Sequence, residues 1–196
     1  MTVMAERTPQ MDVDEFERIA AFAAAETESV RLEFIGGRIG VKGVPDGDHG
    51  EILLWLQTVC MQHRPDLGLY VEQGLRVEQY RAGRARPDGC VARRGSFAGQ
   101  GEWADPAGVL MTVEVTSYDR DTDARDRKEK PLAYAAVGIP VHLLIDRDAA
   151  TATVFSGPGP EGGYQERHTA AFGVAVGLPE PLGFVLETDE LARYVR

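Results

Sequence analysis

Apolar positions recur at helical spacing in two stretches of the chain. Phe16, Ile19, Ala20 and Ala23 share one face of a predicted acidic-fronted helix from Val13 to Ala24. Ile52, Leu53, Leu56, Val59 and Cys60 share a face of a second helix from His49 to Arg64, with Asp48 as its expected N-cap. The stretch from Asp126 to Val137 reads as helical in part and ends at Gly138, a natural residue just past a helix C-terminus. Pro131 fits only in a first turn, so the regular helix is expected to begin near Lys130. Short apolar runs predict strands. Arg31 to Ile35 and Arg38 to Val41 flank Gly36-Gly37, a pair suited to the positive φ angles of a tight hairpin. Further strands are expected at Leu69 to Glu72, Leu75 to Glu78, Pro87 to Ala92, Val109 to Thr116, Val141 to Asp146, Thr151 to Phe155 and Tyr164 to His168. A closing helix is expected from Asp189 to Tyr194. The mixed order gives an α/β or α+β class with a mixed sheet.

Length and composition narrow this picture. The 196 residues suffice for one sizeable core, and no repeat or linker divides them. Residues 1–10 read as a flexible N-terminus and residues 11–196 as a single domain. No run approaches the ~20 apolar residues of a membrane span, and the early apolar stretch from Ile19 lacks a signal-peptide context. Cys60 and Cys90 have neither disulfide-framework nor zinc spacing, so a cytoplasmic location is expected. The formal net charge of -10 disfavours polyanions, but it is unevenly spread. Six arginines (Arg76, Arg81, Arg84, Arg86, Arg93 and Arg94) face only Glu78 and Asp88 in their segment, which is +4 against -14 for the remainder. The segment is either a polyanion contact or a solvated turn.

Three acidic residues fall on short predicted strands. Glu114 lies midway along an apolar strand, where an unpartnered carboxylate is costly. Asp88 follows Pro87 at a strand start, and Glu33 sits between Leu32 and Phe34. Taken singly, a salt-bridged Glu, a turn-forming Asp before Gly and a surface alternation explain them. Together with a lysine on the next helix they supply what a divalent-metal phosphodiesterase needs. Carboxylate oxygens suit Mg²⁺ or Mn²⁺, and an ammonium can offset charge that develops on the phosphoryl group. No G-x-S-x-G elbow and no G-x-G-x-x-G loop supports another chemistry.

The strings "LEFIGGRI" from Leu32, "PDG" at Pro87, "VEVTS" at Val113 and "DRKEKPLAYAAVGIP" from Asp126 occur in order. With them the chain resembles the Uma-two family of restriction endonucleases, within the PD-(D/E)XK nuclease superfamily. The resemblance implies a restriction-endonuclease-like mixed β-sheet flanked by helices. It implies a Mg²⁺- or Mn²⁺-dependent endonuclease that hydrolyses phosphodiester bonds in DNA. Asp88, Glu114 and Glu33 would hold the metal, and Lys130 would act beside them. Thr116 stands where the standard motif has its lysine, and Lys130 holds the place of a lysine moved to the following helix. An exposed Lys130 paired with Asp126 is the plainer reading of that residue. His49 and Arg86 are further candidates for substrate contact, although His49 shares the apolar face of its helix, which favours a buried imidazole. Tyr134 is expected in the core, and no partner is evident for His63, His142 or His168. By analogy with nuclease folds that cut both strands, a homodimer is expected. Two alternatives stay open: a catalytically idle nuclease-fold domain that binds nucleic acid or a protein partner, and a small-molecule phosphoesterase.

Overall fold

The computed structural model describes residues 11–27, 29–77, 82–116, 125–159 and 162–195. The expectation for residues 1–10 lies outside the described residues, as does Arg81. Helix α1 (Val13–Glu26) is capped by Asp12, whose Oδ1 accepts from Glu15 N at 2.7 Å. Strands β1 (Arg31–Ile35) and β2 (Arg38–Lys42) form the expected hairpin. Gly36 and Gly37 both take positive φ, 59° and 78°, which a side chain at either position would resist.

Helix α2 (Gly47–His63) starts two residues earlier than the sequence suggests. Its N-cap is Asp46, not Asp48, because Asp46 Oδ1 accepts from His49 N at 2.8 Å. Both aspartates also receive the buried Arg147 guanidinium at 2.9–3.0 Å, which pins the helix start to the end of a central strand. After α2 come β3 (Leu67–Val71), β4 (Gly74–Val77), β5 (Gly83–Ala85) and β6 (Gly89–Arg93). The expected strand from Pro87 is therefore shorter. Pro87 and Asp88 form the crossing between β6 and β5, a strand that the hydrophobic pattern does not announce. Short β7 (Trp103–Ala104) precedes β8 (Val109–Val115). A π-helical turn (Arg125–Glu129) leads into α3 (Lys130–Ala136), so the helix does begin at Lys130. Strands β9 (Val141–Asp146), β10 (Thr151–Pro158), β11 (Tyr164–Ala171), β12 (Val176–Leu178) and β13 (Phe184–Leu186) follow. The closing segment Asp189–Tyr194 is a 3₁₀ helix. Among the described residues, no helix is long and apolar enough to cross a membrane.

Two sheets result. One has the order β2-β1-β5-β4-β7 and the other β11-β10-β9-β8-β6-β3, with β12-β13 as a separate pair. The β8–β9 pairing is parallel within an otherwise antiparallel six-stranded sheet, so both the mixed class and the mixed sheet stand. One core cluster packs Ile52, Leu53 and Leu56 of α2 against Val113 and Val115 of β8 and Leu143 and Ile145 of β9. A second cluster lies on the other side, joining Tyr134 and Ala133 of α3 to Ile35, Leu75 and Cys90. Each fully buried aliphatic side chain contributes roughly 1.5–3 kcal/mol. Strand β8 is thus covered on both faces. Val113 and Val115 enter the apolar cluster, while Thr112, Glu114 and Thr116 alternate onto the opposite, polar face and are fully buried there. Arg86-Pro87-Asp88 is where the chain leaves the first sheet and enters the second, so residues of both sheets converge at that seam.

His142, on β9, does find a partner: its Nδ1 lies 3.0 Å from Thr112 Oγ1. Burial pushes its pKa down to about 3, with the nearby Lys130 charge acting in the same direction, so the ring is neutral in the folded protein. In the unfolded chain the same ring takes up a proton near pH ~6.5. Between those values the unfolded state binds the extra proton, and stability falls as pH falls. His142→Gln is predicted to remove this contribution, flattening stability against pH below about 6 by up to ~1.4 kcal/mol per pH unit. Urea unfolding of both proteins between about pH 6.5 and pH 4 checks it.

Candidate active site

Strand alternation aims Glu33 inward. Phe34 turns to α1 and stacks on Phe16 at 5.1 Å, so Glu33 and Ile35 take the opposite face, toward the seam. The crossing supplies Asp88, β8 supplies Glu114, and the π-helical turn supplies a fourth carboxyl group, Asp126. All four are buried. The ammonium of Lys130, at the first residue of α3, lies among three of them. Its Nζ is 3.1 Å from Glu33 Oε1, 3.1 Å from Glu114 Oε2 and 2.9 Å from Asp126 Oδ1. Asp88 has other partners. Its Oδ1 is 2.6 Å from Lys42 Nζ, and its Oδ2 accepts from Val115 N at 2.7 Å and lies 3.1 Å from His49 Nε2. Tyr134 O–H donates to Glu114 Oε1 at 2.6 Å, and Arg86 N donates to Glu33 Oε1 at 2.7 Å. Both ammonium groups also reach the carbonyl oxygen of Arg86, Lys42 at 2.8 Å and Lys130 at 3.5 Å.

Burial alone would favour the neutral form of every group here, and the neighbours decide which groups escape that. For Asp88, the Lys42 ammonium and His49 outweigh burial, and its carboxyl is held below the usual range. For Lys130, burial is outweighed by Asp126, Glu114, Glu33 and Asp88, and the ammonium is held well above the usual lysine range. For Glu114, burial wins despite Lys130, and Asp126 and Asp88 add their repulsion, so it lies well above the ordinary glutamate value. Glu114 is therefore pushed toward its protonated form, while Asp88 is held toward its ionised form and Lys130 toward its charged form. Burial and Glu114 likewise raise the Tyr134 hydroxyl, which stays a donor.

A family model described as "Putative restriction endonuclease", Uma2, matches residues 13–189. The chain belongs to the Uma2 family. A similar solved structure is that of "a putative nuclease belonging to DUF820 from Anabaena variabilis ATCC 29413". It matches with a TM-score of 0.70 at 19% identity, covering 94% of this chain and 98% of that one. That likeness establishes a nuclease-like fold. Among curated proteins, no sequence matches the chain.

In this Uma2 chain the seam gathers every residue that the motifs point to, though not always in the expected manner. Lys130 is buried, not an exposed helix lysine, and its Asp126 pair is one of three. His49 is buried and its Nε2 lies 3.1 Å from Asp88 Oδ2. Arg86 serves through its backbone, while its guanidinium pairs with Glu102 and lies 4.3 Å from the Trp103 ring. Tyr134 is in the core and also donates to Glu114. Lys42, Asp126 and the Tyr134 hydroxyl are site groups that the sequence motifs leave unmarked. Among the other arginines, Arg84 is buried against Glu17 at 2.6 Å. Arg93 and Arg94 are exposed at the far end of β6 from Asp88, so the basic segment is not one face.

The donor chemistry suits a hard divalent cation: four carboxyl groups converge, and among the described residues Glu33 Oε2 accepts no hydrogen bond although buried. Among the described residues, no three of these donors stand in a metal-ready group. The reason is visible in the distances, because the Lys42 and Lys130 ammonium groups lie against the carboxylates. Glu33, Asp88 and Glu114 could contact a cation only in place of those ammonium groups.

Removing Lys130 leaves three buried carboxyl groups without their shared cation. Lys130→Met is predicted to cost about 3–5 kcal/mol at neutral pH, and Glu114→Gln in the same background should recover part of it. Urea unfolding of the single and double variants checks this; a Lys130→Met protein as stable as the parent would contradict it.

Proposed function

We propose that this chain is a divalent-cation-dependent endonuclease that hydrolyses phosphodiester bonds in DNA. The observation that carries the reading is the convergence of Glu33, Asp88 and Glu114 on the seam, with the Lys130 ammonium 3.1 Å from two of them. Family membership supports nuclease chemistry. When bound, Mg²⁺ or Mn²⁺ would polarise a phosphoryl oxygen and lower the pKa of a bound water.

The chain's own residues have separable tasks. Asp88 stays ionised and is fixed by Val115 N, so its charge and direction are set before any substrate arrives. Tyr134 fixes one oxygen of Glu114 and leaves Oε2 to the ammonium side. The surrounding carboxyl groups hold the Lys130 ammonium well above the usual lysine range, so it acts as a fixed positive charge and donor, not as a base. The seam lies beside a cavity of about 30 Å³ bounded by Lys42, Val44, Pro45, His49, Asp88 and Lys130. Its size admits about one water or one phosphoryl oxygen.

The test is cleavage of supercoiled, linear and single-stranded DNA with Mg²⁺ or Mn²⁺. The parent is expected to cut in a cation-dependent manner, and Asp88→Asn and Lys130→Ala should each lower the rate by about 100-fold or more. Thr116→Lys in the Lys130→Ala background should restore part of it if the ammonium matters more than its origin. DNA binding without any cutting by the parent would favour an idle, binding-only domain instead. Equal cutting by Lys130→Ala would remove that residue from the chemistry.

A further inference from the structure

Lysine is scarce in this chain. Of 21 Lys and Arg residues, only Lys42, Lys128 and Lys130 are lysines. Lys128 is exposed, and the other two are buried at the seam. Elsewhere the fold meets its need for positive charge with arginine, whose planar fork suits permanent pairing; an ammonium is a compact point charge. Lys42 ends β2, and the residue is 6% exposed. Its Nζ binds Asp88 Oδ1 at 2.6 Å and the Arg86 carbonyl at 2.8 Å, while facing the small cavity. Asp88 Oδ2 is already taken by Val115 N and His49, so Oδ1 is the oxygen that any external cation would need.

We propose that Lys42 is a positioning residue that serves as the internal counter-cation of Asp88, and that a divalent cation must displace it to bind there. This rests on the nuclease reading, in which Asp88 takes a cation. The Asp88 carboxylate is kept ionised and correctly placed before the cation arrives, which avoids an uncompensated buried charge. The same contact competes with the cation and weakens its binding. Lys42 lines the small cavity beside Asp88, and Val44 on the same cavity is 75% exposed.

Calorimetric titration with Mn²⁺ separates the possibilities. Lys42→Met should bind Mn²⁺ about tenfold more tightly or better than the parent. Lys42→Arg, which keeps the charge, should not. Lys42→Gln gives the same reading as Lys42→Met should the latter fail to fold. A purely structural Lys42 would leave the affinity unchanged or lower it, and that result overturns the proposal while sparing the nuclease reading. Absence of Mn²⁺ binding by the parent and every variant overturns both. Binding by Lys42→Met alone supports complete competition. With three lysines in the chain, ¹⁵N-lysine resonances provide a second readout on the parent itself. Saturating Mg²⁺ should move the Lys42 ammonium signal and speed its exchange with water, and an unmoved signal counts against displacement.

Discussion

Burying like charges in one place is the constraint on which this fold turns. Four carboxyl groups, Glu33, Asp88, Glu114 and Asp126, are drawn out of water at the seam between two sheets. Burial favours the neutral form of each group, and a cation at hydrogen-bond distance opposes it. Lys130 and Lys42 supply that cation, and they do so from different elements: the start of α3 and the end of β2. The hairpin, the crossing, the central strand and the helix are therefore held together by charge as well as by their apolar faces. Tyr134 shows both kinds of linkage, with its ring in the second core cluster and its hydroxyl on Glu114.

Backbone geometry makes the seam possible. Glu33 pairs in register with Gly40, where the Arg125 guanidinium fills the place that a Cβ would occupy. The guanidinium crosses the hairpin there and donates to Val41 O at 2.7 Å, and a side chain at Gly40 would have to displace it. Pro87 has no N–H to lose from a ladder, so the crossing before β6 is a natural place for it. Asp88 thereby stands outside both ladders, with its carboxyl free to bind Val115 N across the seam.

Much of this is legible in the sequence because it is local. The alternation through Val113, Glu114 and Val115 announces a carboxylate set against an apolar strand. Pro131 fixes where α3 begins, which puts Lys130 at its first position. The parts that stay hidden depend on contacts distant along the chain. Lys42 closes an ordinary-looking hairpin strand, and only the fold brings it to Asp88, far along the chain. Asp126 reads as a plain i,i+4 partner of Lys130, and its burial follows from the π-helical turn. The N-cap of α2 shifts from Asp48 to Asp46, whose Oδ1 accepts from His49 N, and Arg147, distant along the chain, then binds both aspartates. The arginines that look like one basic segment are split by β5 and β6 onto different surfaces.

The proposed exchange of ammonium for metal at the seam makes a specific structural demand. In anomalous diffraction from crystals equilibrated with Mn²⁺, one strong peak should stand in direct contact with carboxyl oxygens of Asp88 and Glu114. Lys42 Nζ should no longer be at Asp88 Oδ1 in the same crystals. A peak confined to surface carboxylates, or none at millimolar Mn²⁺ with both ammonium contacts intact, would rule the exchange out.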